Sequence, residues 1–177
     1  MQLKNSTNHY GLIAITFHWL MAALIIFMLC LGLYMTNLNI SMEKLKLFGW
    51  HKQTGILILM LVIARLTWRL INVLPSFPPM PLWQVFAARA VHLAFYGFMI
   101  VMPVTGWLIS SAAGLPVSFF GFFVLPTLIP ADQNLQLFFT EIHNWLAYAL
   151  IAAISVHVLA ALQHHFIHKD DTLRKML

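Results

Sequence analysis

The chain has 177 residues, of which 61% are hydrophobic and only 8% charged, against about 25% charged in an ordinary soluble domain. Lipid is therefore the expected solvent, and the net charge of +5, gathered mostly at the ends of apolar runs, is a topology signal with no nucleic-acid motif beside it. The single cysteine, Cys30, excludes an internal disulfide and any Cys-x-x-Cys redox pair.

A helix needs about 20 apolar residues to cross roughly 30 Å of hydrocarbon. The chain offers four such runs, so the expected fold is an all-α integral membrane four-helix bundle forming one domain over 1–177. Span one is expected over about Gly11 to Met35. Its apolar run starts after Lys4 and meets no Asp, Glu, Lys or Arg until Glu43, which is too long for a signal-peptide core. Span two is expected over about Trp50 to Ile71, followed by Pro75, Pro78, Pro79 and Pro81, which cannot continue a helix and force a stiff turn. Span three is expected over about Ala88 to Ser111, with Pro103 and Gly106 inside it as a possible kink. The stretch Leu115 to Ala131 is apolar but broken by Pro116, Pro126 and Pro130, and is expected as an interfacial or re-entrant flap. Span four is expected over about Glu141 to Ile167.

Orientation follows from Lys and Arg. Lys4, Arg65, Arg69, Arg89, Lys169, Arg174 and Lys175 fall on the side holding both termini, and only Lys44, Lys46 and Lys52 on the other. That bias puts both termini in the cytoplasm.

Ionisable residues within spans are expensive and mark function, and here they are mostly histidines. His143 and His157 share span four, 14 residues apart, which is about 21 Å of helix and a return to within roughly 40° of the same face. Antiparallel helices bring His51 to the depth of His143 and His18 to that of His157. Facing helices of a bundle build cofactor sites in this way, and two axial imidazoles leave haem iron no open position, which suits electron transfer. The bland alternative is that each histidine is interhelical hydrogen-bonding glue. A histidine-lined metal carrier is a third reading, disfavoured by the lack of membrane-embedded acidic residues. His92 sits at the same layer as His18, and spacing does not separate the two. Arg65, 14 residues after His51, and Arg69, one turn on, either pair with haem propionates or snorkel to headgroups. His164 lies about 10 Å beyond His157 on nearly the same face, where it could protonate a quinone or simply sit at the interface. His164, His165 and His168 have helical metal spacing, but no carboxylate or cysteine is expected to complete a set. The six tryptophans lie mostly at span ends, as an aromatic belt.

The segments Phe17-His18-Trp19, Trp50-His51-Lys52-x-x-Gly55, Ala64-Arg65-Leu66-x-x-Arg69, Pro103-Val104-x-Gly106-Trp107, Glu141-Ile142-His143, the later His157, and the tail from His164-His165-Phe166 through Lys169-Asp170 to Thr172-Leu173 together resemble the bacterial cytochrome b561 family over nearly the whole chain. The resemblance implies a four-helix protein of the bacterial inner membrane with two b haems, their iron held by His18, His51, His143 and His157. It favours His18 over His92 and puts His164 in contact with quinone. The family includes superoxide oxidases, which take electrons from superoxide at the outer face and reduce ubiquinone near the inner haem, and Lys44, Lys46 and Lys52 could focus such an anion. It also includes cytochrome subunits that link a partner dehydrogenase or hydrogenase to quinone, for which the 115–131 flap would be a docking surface.

Overall fold

The computed structural model describes residues 2–77 and 80–176, and the expected Pro78 and Pro79 turn lies outside them. Four long helices carry the chain: α1 (Leu12–Thr36), α2 (Met42–Ile71), α3 (Leu82–Ala112) and α4 (Gln133–Gln163). Each is long and apolar enough to cross a membrane, α4 with the π-helical turn His164–His168 that continues it. The four-helix expectation holds, but three helices begin earlier than their apolar runs. Ser41 caps α2 by accepting from the Lys44 amide at 3.1 Å, and Asp132 caps α4 by accepting from the Leu135 amide at 2.9 Å. Each cap satisfies an amide left unpaired at a helix start, which draws the polar segments 42–49 and 133–140 into the helix. At α3 Pro81 precedes the first turn and its carbonyl accepts from Gln84 and Val85; proline suits that position because it has no amide to satisfy.

The flap at 115–131 is non-helical as expected, but part of it is ordered as an antiparallel hairpin of β1 (Val117–Phe119) and β2 (Phe123–Leu125). Phe120 and Gly121, both at positive φ, turn the chain between them. Trp107 donates to the Pro126 carbonyl at 2.9 Å, and Ser111 accepts from the Leu128 amide, tying the hairpin to the end of α3. The opposite end of the bundle is closed by three segments knitted together. Asn5 donates to the Val73 carbonyl, the Ser76 amide to Thr7, Lys175 to the Ser76 carbonyl, and Trp19 to the Met176 carbonyl at 2.7 Å. Tryptophans assigned to a belt thus also clamp loops. Pro103 lies inside α3 without ending it.

Close backbone packing runs α1 to α2, α2 to α3 and α3 to α4, while α4 makes no comparable approach to α1 or α2 among the described residues. The fully packed cluster is small, Met21 of α1, Ile58 and Val62 of α2 and Met99 of α3. Helix α4 contributes a single buried residue, Leu150. A gap therefore runs between α4 and the α1–α2 pair.

Candidate haem-binding site

The histidines face that gap in two layers. Near the hairpin end, His51 of α2 and His143 of α4 have ring centres 6.3 Å apart; near the termini, His18 of α1 and His157 of α4 are also 6.3 Å apart. Two metal–imidazole bonds of about 2 Å, each with about 1.1 Å from nitrogen to ring centre, set two axial imidazoles about 6 Å apart. Both pairs fit a metal between the rings, at the place where the α4 backbone stands off from α1 and α2.

Near the hairpin end the rings are held by different means. Thr105 of α3 is buried, and its hydroxyl proton goes to the Met102 carbonyl at 2.8 Å. Its oxygen, 2.8 Å from His143 Nδ1, must then accept, so Nδ1 carries the ring proton and Nε2 keeps the lone pair that a metal needs. His51 Nδ1 is buried with no protein partner; packing orients this ring. A methyl added at Gly32 of α1 would stand 3.4 Å from His51 Cε1, and one at Gly106 of α3 would stand 3.5 Å from His143 Cε1. Each imidazole thus lies along a glycine of the adjacent helix. Gly55 plays a milder part, a methyl there meeting only the Met28 side chain at 3.8 Å.

Near the termini the sequence ambiguity persists in three dimensions, because His92 is also 6.3 Å from His157. The surroundings differ, however. Helix α3 packs directly on α4, and Phe95, one turn from His92, sets its edge against His157 with ring centres 5.2 Å apart; His18 reaches His157 across the gap. Arg65 Nη2 lies 3.3 Å from His18 Nδ1. A guanidinium only donates, so this contact takes the Nδ1 lone pair and leaves the proton on Nε2. Ligation through Nε2 then requires Arg65 to turn away, and an anionic group such as a propionate is a stronger partner for it. Arg65 and Arg69 stand 5.9 and 5.6 Å from the Tyr96 ring centre. Both arginines lie against Tyr96 of α3. Tyr10, just before α1, joins the cluster, and burial raises its phenol above the usual range against the opposing pull of Arg69.

His164 lies at the start of the π-helical turn, and its Nδ1 is 2.5 Å from the Asp170 carboxylate. Lys169 in the left-handed conformation (φ 54°) folds the chain back and brings this carboxylate to His164. Among the described residues no group of three His, Cys, Asp or Glu is placed to hold a metal ion. Burial raises the Asp170 carboxyl, but hydrogen bonds from Thr172 and His164 outweigh it and hold it down to about 2. At the hairpin end Lys44 donates to the Leu38 carbonyl at 2.6 Å, so one of the three lysines fastens the α1–α2 loop. Gly32, Tyr96 and Thr105 were not singled out from sequence, and Asp170 was given no role there beyond its place in the tail motif. Thr105 and Asp170 carried a signal, as polar residues inside segments otherwise chosen for their neighbours.

A multi-pass helical protein that pairs imidazoles across an interior gap falls in the class of membrane-bound b-type cytochromes, proteins that carry electrons in the bilayer. Residues 9–177 match the family described as prokaryotic cytochrome b561, and the chain belongs to that family. It is 40% identical to "Cytochrome b561 homolog 2" of Escherichia coli (strain K12) over 189 residues, covering 100% of this chain and 95% of that protein. "Cytochrome b561 homolog 1" of the same organism is 32% identical over 131 residues, 72% of each chain. "Probable superoxide oxidase CybB" of Yersinia pestis is 28% identical over 181 residues, 95% of each.

Proposed function

We propose that this chain binds two b haems, one between His51 and His143 and one between His18 and His157, and acts as a superoxide:ubiquinone oxidoreductase of the bacterial inner membrane with both termini in the cytoplasm. The observation that carries the haem assignment is the pair of 6.3 Å imidazole separations across the gap beside α4. When bound, haem supplies one-electron chemistry that no side chain here offers. The protein supplies the rest. Thr105 holds the tautomer of His143, Gly32 and Gly106 admit the two rings, and Met21, Ile58, Val62 and Met99 keep water from the region between the layers. Arg65 and Arg69, beside Tyr96 at the termini end, would pair with the propionates of a bound haem, and His92 would line the same layer.

Superoxide as donor is supported by the 28% identical relative named as a probable superoxide oxidase and by Lys46 and Lys52 at the hairpin end, which raise the encounter rate of an anion. Quinone as acceptor is supported by His164, one helical stretch beyond His157. Two superoxide ions each lose one electron and leave as dioxygen, and the quinone gains two electrons and two protons. In the decisive experiment, purified oxidised protein is mixed with superoxide under anaerobic conditions. Rapid appearance of the reduced haem spectrum, followed by stoichiometric quinol when a ubiquinone analogue is added, is expected; haems that stay oxidised sink the reading. The second reading, an electron conduit for a partner dehydrogenase, is favoured by the exposed Phe122 and Val124 of the hairpin. It predicts a soluble redox subunit that co-purifies.

Thr105→Val keeps the shape of the side chain but removes the acceptor for His143 Nδ1. It is expected to weaken haem retention at the hairpin end by about 10- to 100-fold, measured by competition with a haem scavenger, with the other haem unaffected.

A further inference from the structure

The C-terminal turn contains more construction than a helix end requires. The π-helical turn His164–His168 stops at Lys169, a non-glycine residue at φ 54°, a conformation that L side chains rarely adopt. The amides of Lys169 and Asp170 both turn back to the His164 carbonyl, and π-turns are frequent at functional sites. The result is that Asp170 bridges two partners. Its Oδ1 accepts from the Thr172 amide at 2.8 Å, and its Oδ2 meets His164 Nδ1 at 2.5 Å. The neighbouring charges are otherwise engaged or turned elsewhere: Asp171 pairs with Arg174 at 3.3 Å, Lys175 donates to the Ser76 carbonyl, and His168 stands with its ring centre 5.1 Å from that of His164. Behind the carboxylate opens a cavity of about 430 Å³ whose wall includes Asn8, His9, Ser76, Asp170, Asp171 and Lys175, so the pair meets water on its Asp170 side.

We propose that Asp170 is the positioning residue for proton transfer to quinone, holding the His164 imidazole by Nδ1 so that Nε2 alone is presented to the reacting oxygen. The inference rests on the quinone reading above. An ionised carboxylate accepts only, so Nδ1 keeps its proton in both states of the ring. When Nε2 gives its proton to a quinone oxygen, the ring is left as the neutral Nδ1–H tautomer, still held by the carboxylate. A proton from water at the termini end then reloads Nε2. Over one turnover two superoxide ions supply two electrons and leave as dioxygen, and water supplies two protons, giving quinol.

Asp170→Asn tests this in the full-length, haem-loaded chain. The Asn Oδ1 retains the Thr172 amide, so its NH2 must face His164 Nδ1 as a donor and force the opposite tautomer. In histidine-15N-labelled protein, with His164 assigned by its loss in His164→Gln, the neutral wild-type ring is expected to be protonated at Nδ1 and the Asp170→Asn ring at Nε2. With superoxide as donor and a ubiquinone analogue as acceptor, kcat is expected to fall on the order of 100-fold, KM to stay within about threefold, and haem content to be unchanged. A wild-type His164 with Nδ1 unprotonated overturns the proposal without any variant. So does an Asp170→Asn protein of full kcat, or one that loses kcat, quinone affinity and haem together, the mark of a merely structural tail. If the wild type makes no quinol, the functional reading fails, and the tautomer measurement still decides whether Asp170 holds the ring as described.

Discussion

His157→Ala is expected to reduce bound haem from about two per chain to about one, with the surviving spectrum that of the layer between His51 and His143. His51→Ala is expected to do the converse. Independence follows from the architecture, since the two layers lie about 21 Å apart along α4, with the apolar cluster of Met21, Ile58, Val62 and Met99 packed among α1, α2 and α3. The partner of His157 is the sharper question, because His18 and His92 both stand with ring centres 6.3 Å from it. His18→Ala is expected to lose the same haem as His157→Ala, whereas His92→Ala is expected to retain both. The reason is room: α3 is already packed on α4 with Phe95 against His157, whereas α1 makes no comparable approach to α4 among the described residues. Pyridine haemochrome quantification, with electron paramagnetic resonance to distinguish the two low-spin centres, reads all four variants. Loss of haem in His92→Ala with retention in His18→Ala reverses the assignment. A preparation that holds no haem in the wild type ends it.

Much of this arrangement was legible in the sequence, for physical reasons specific to membranes. Charge is so costly in hydrocarbon that four histidines inside apolar runs stand out, and a rigid 3.6-residue helix converts the 14-residue interval from His143 to His157 into two depths on one face. The ring separations place His51 beside His143, and both His18 and His92 beside His157. The competition between His18 and His92 was equally legible and equally unresolved, because spacing gives depth but not which neighbouring helix stands off. Helix starts lie beyond what hydropathy marks: Ser41 and Asp132 extend α2 and α4 through polar turns by capping them. The hairpin at 117–125 was hidden because its prolines and Gly121 mark a break in helix without specifying strands. Asp170 stood in the tail motif with no role given to it. Only the left-handed turn at Lys169, which no local pattern announces, returns it to His164.

The glycines beside the hairpin-end rings give the second large effect. Gly106→Leu is expected to eliminate the haem between His51 and His143 while leaving the other, and Gly32→Leu to do the same from the opposite side of the gap. A single added methyl reaches His143 Cε1 at 3.5 Å and His51 Cε1 at 3.4 Å, which is ordinary contact for the first and the tight limit for the second. Alanine at 106 is therefore expected to be accommodated with both haems kept, since in a helix interior it also removes the backbone penalty of glycine, about 1 kcal/mol. Leucine adds three further carbons beyond a Cβ whose nearest neighbour is already the imidazole, and helix side chains point back over the preceding turn. The His143 ring would have to rotate, breaking the 2.8 Å contact with Thr105 that fixes its tautomer. His51 has no such hydrogen bond to restore it, so Gly32→Ala is expected to be the more damaging of the two alanine changes, visible as partial loss of one haem band when Gly106→Ala shows none. Equal tolerance of leucine at both positions would mean that the rings are not seated on these backbones, and that the gap beside α4 is wider than the two imidazoles and whatever lies between them require.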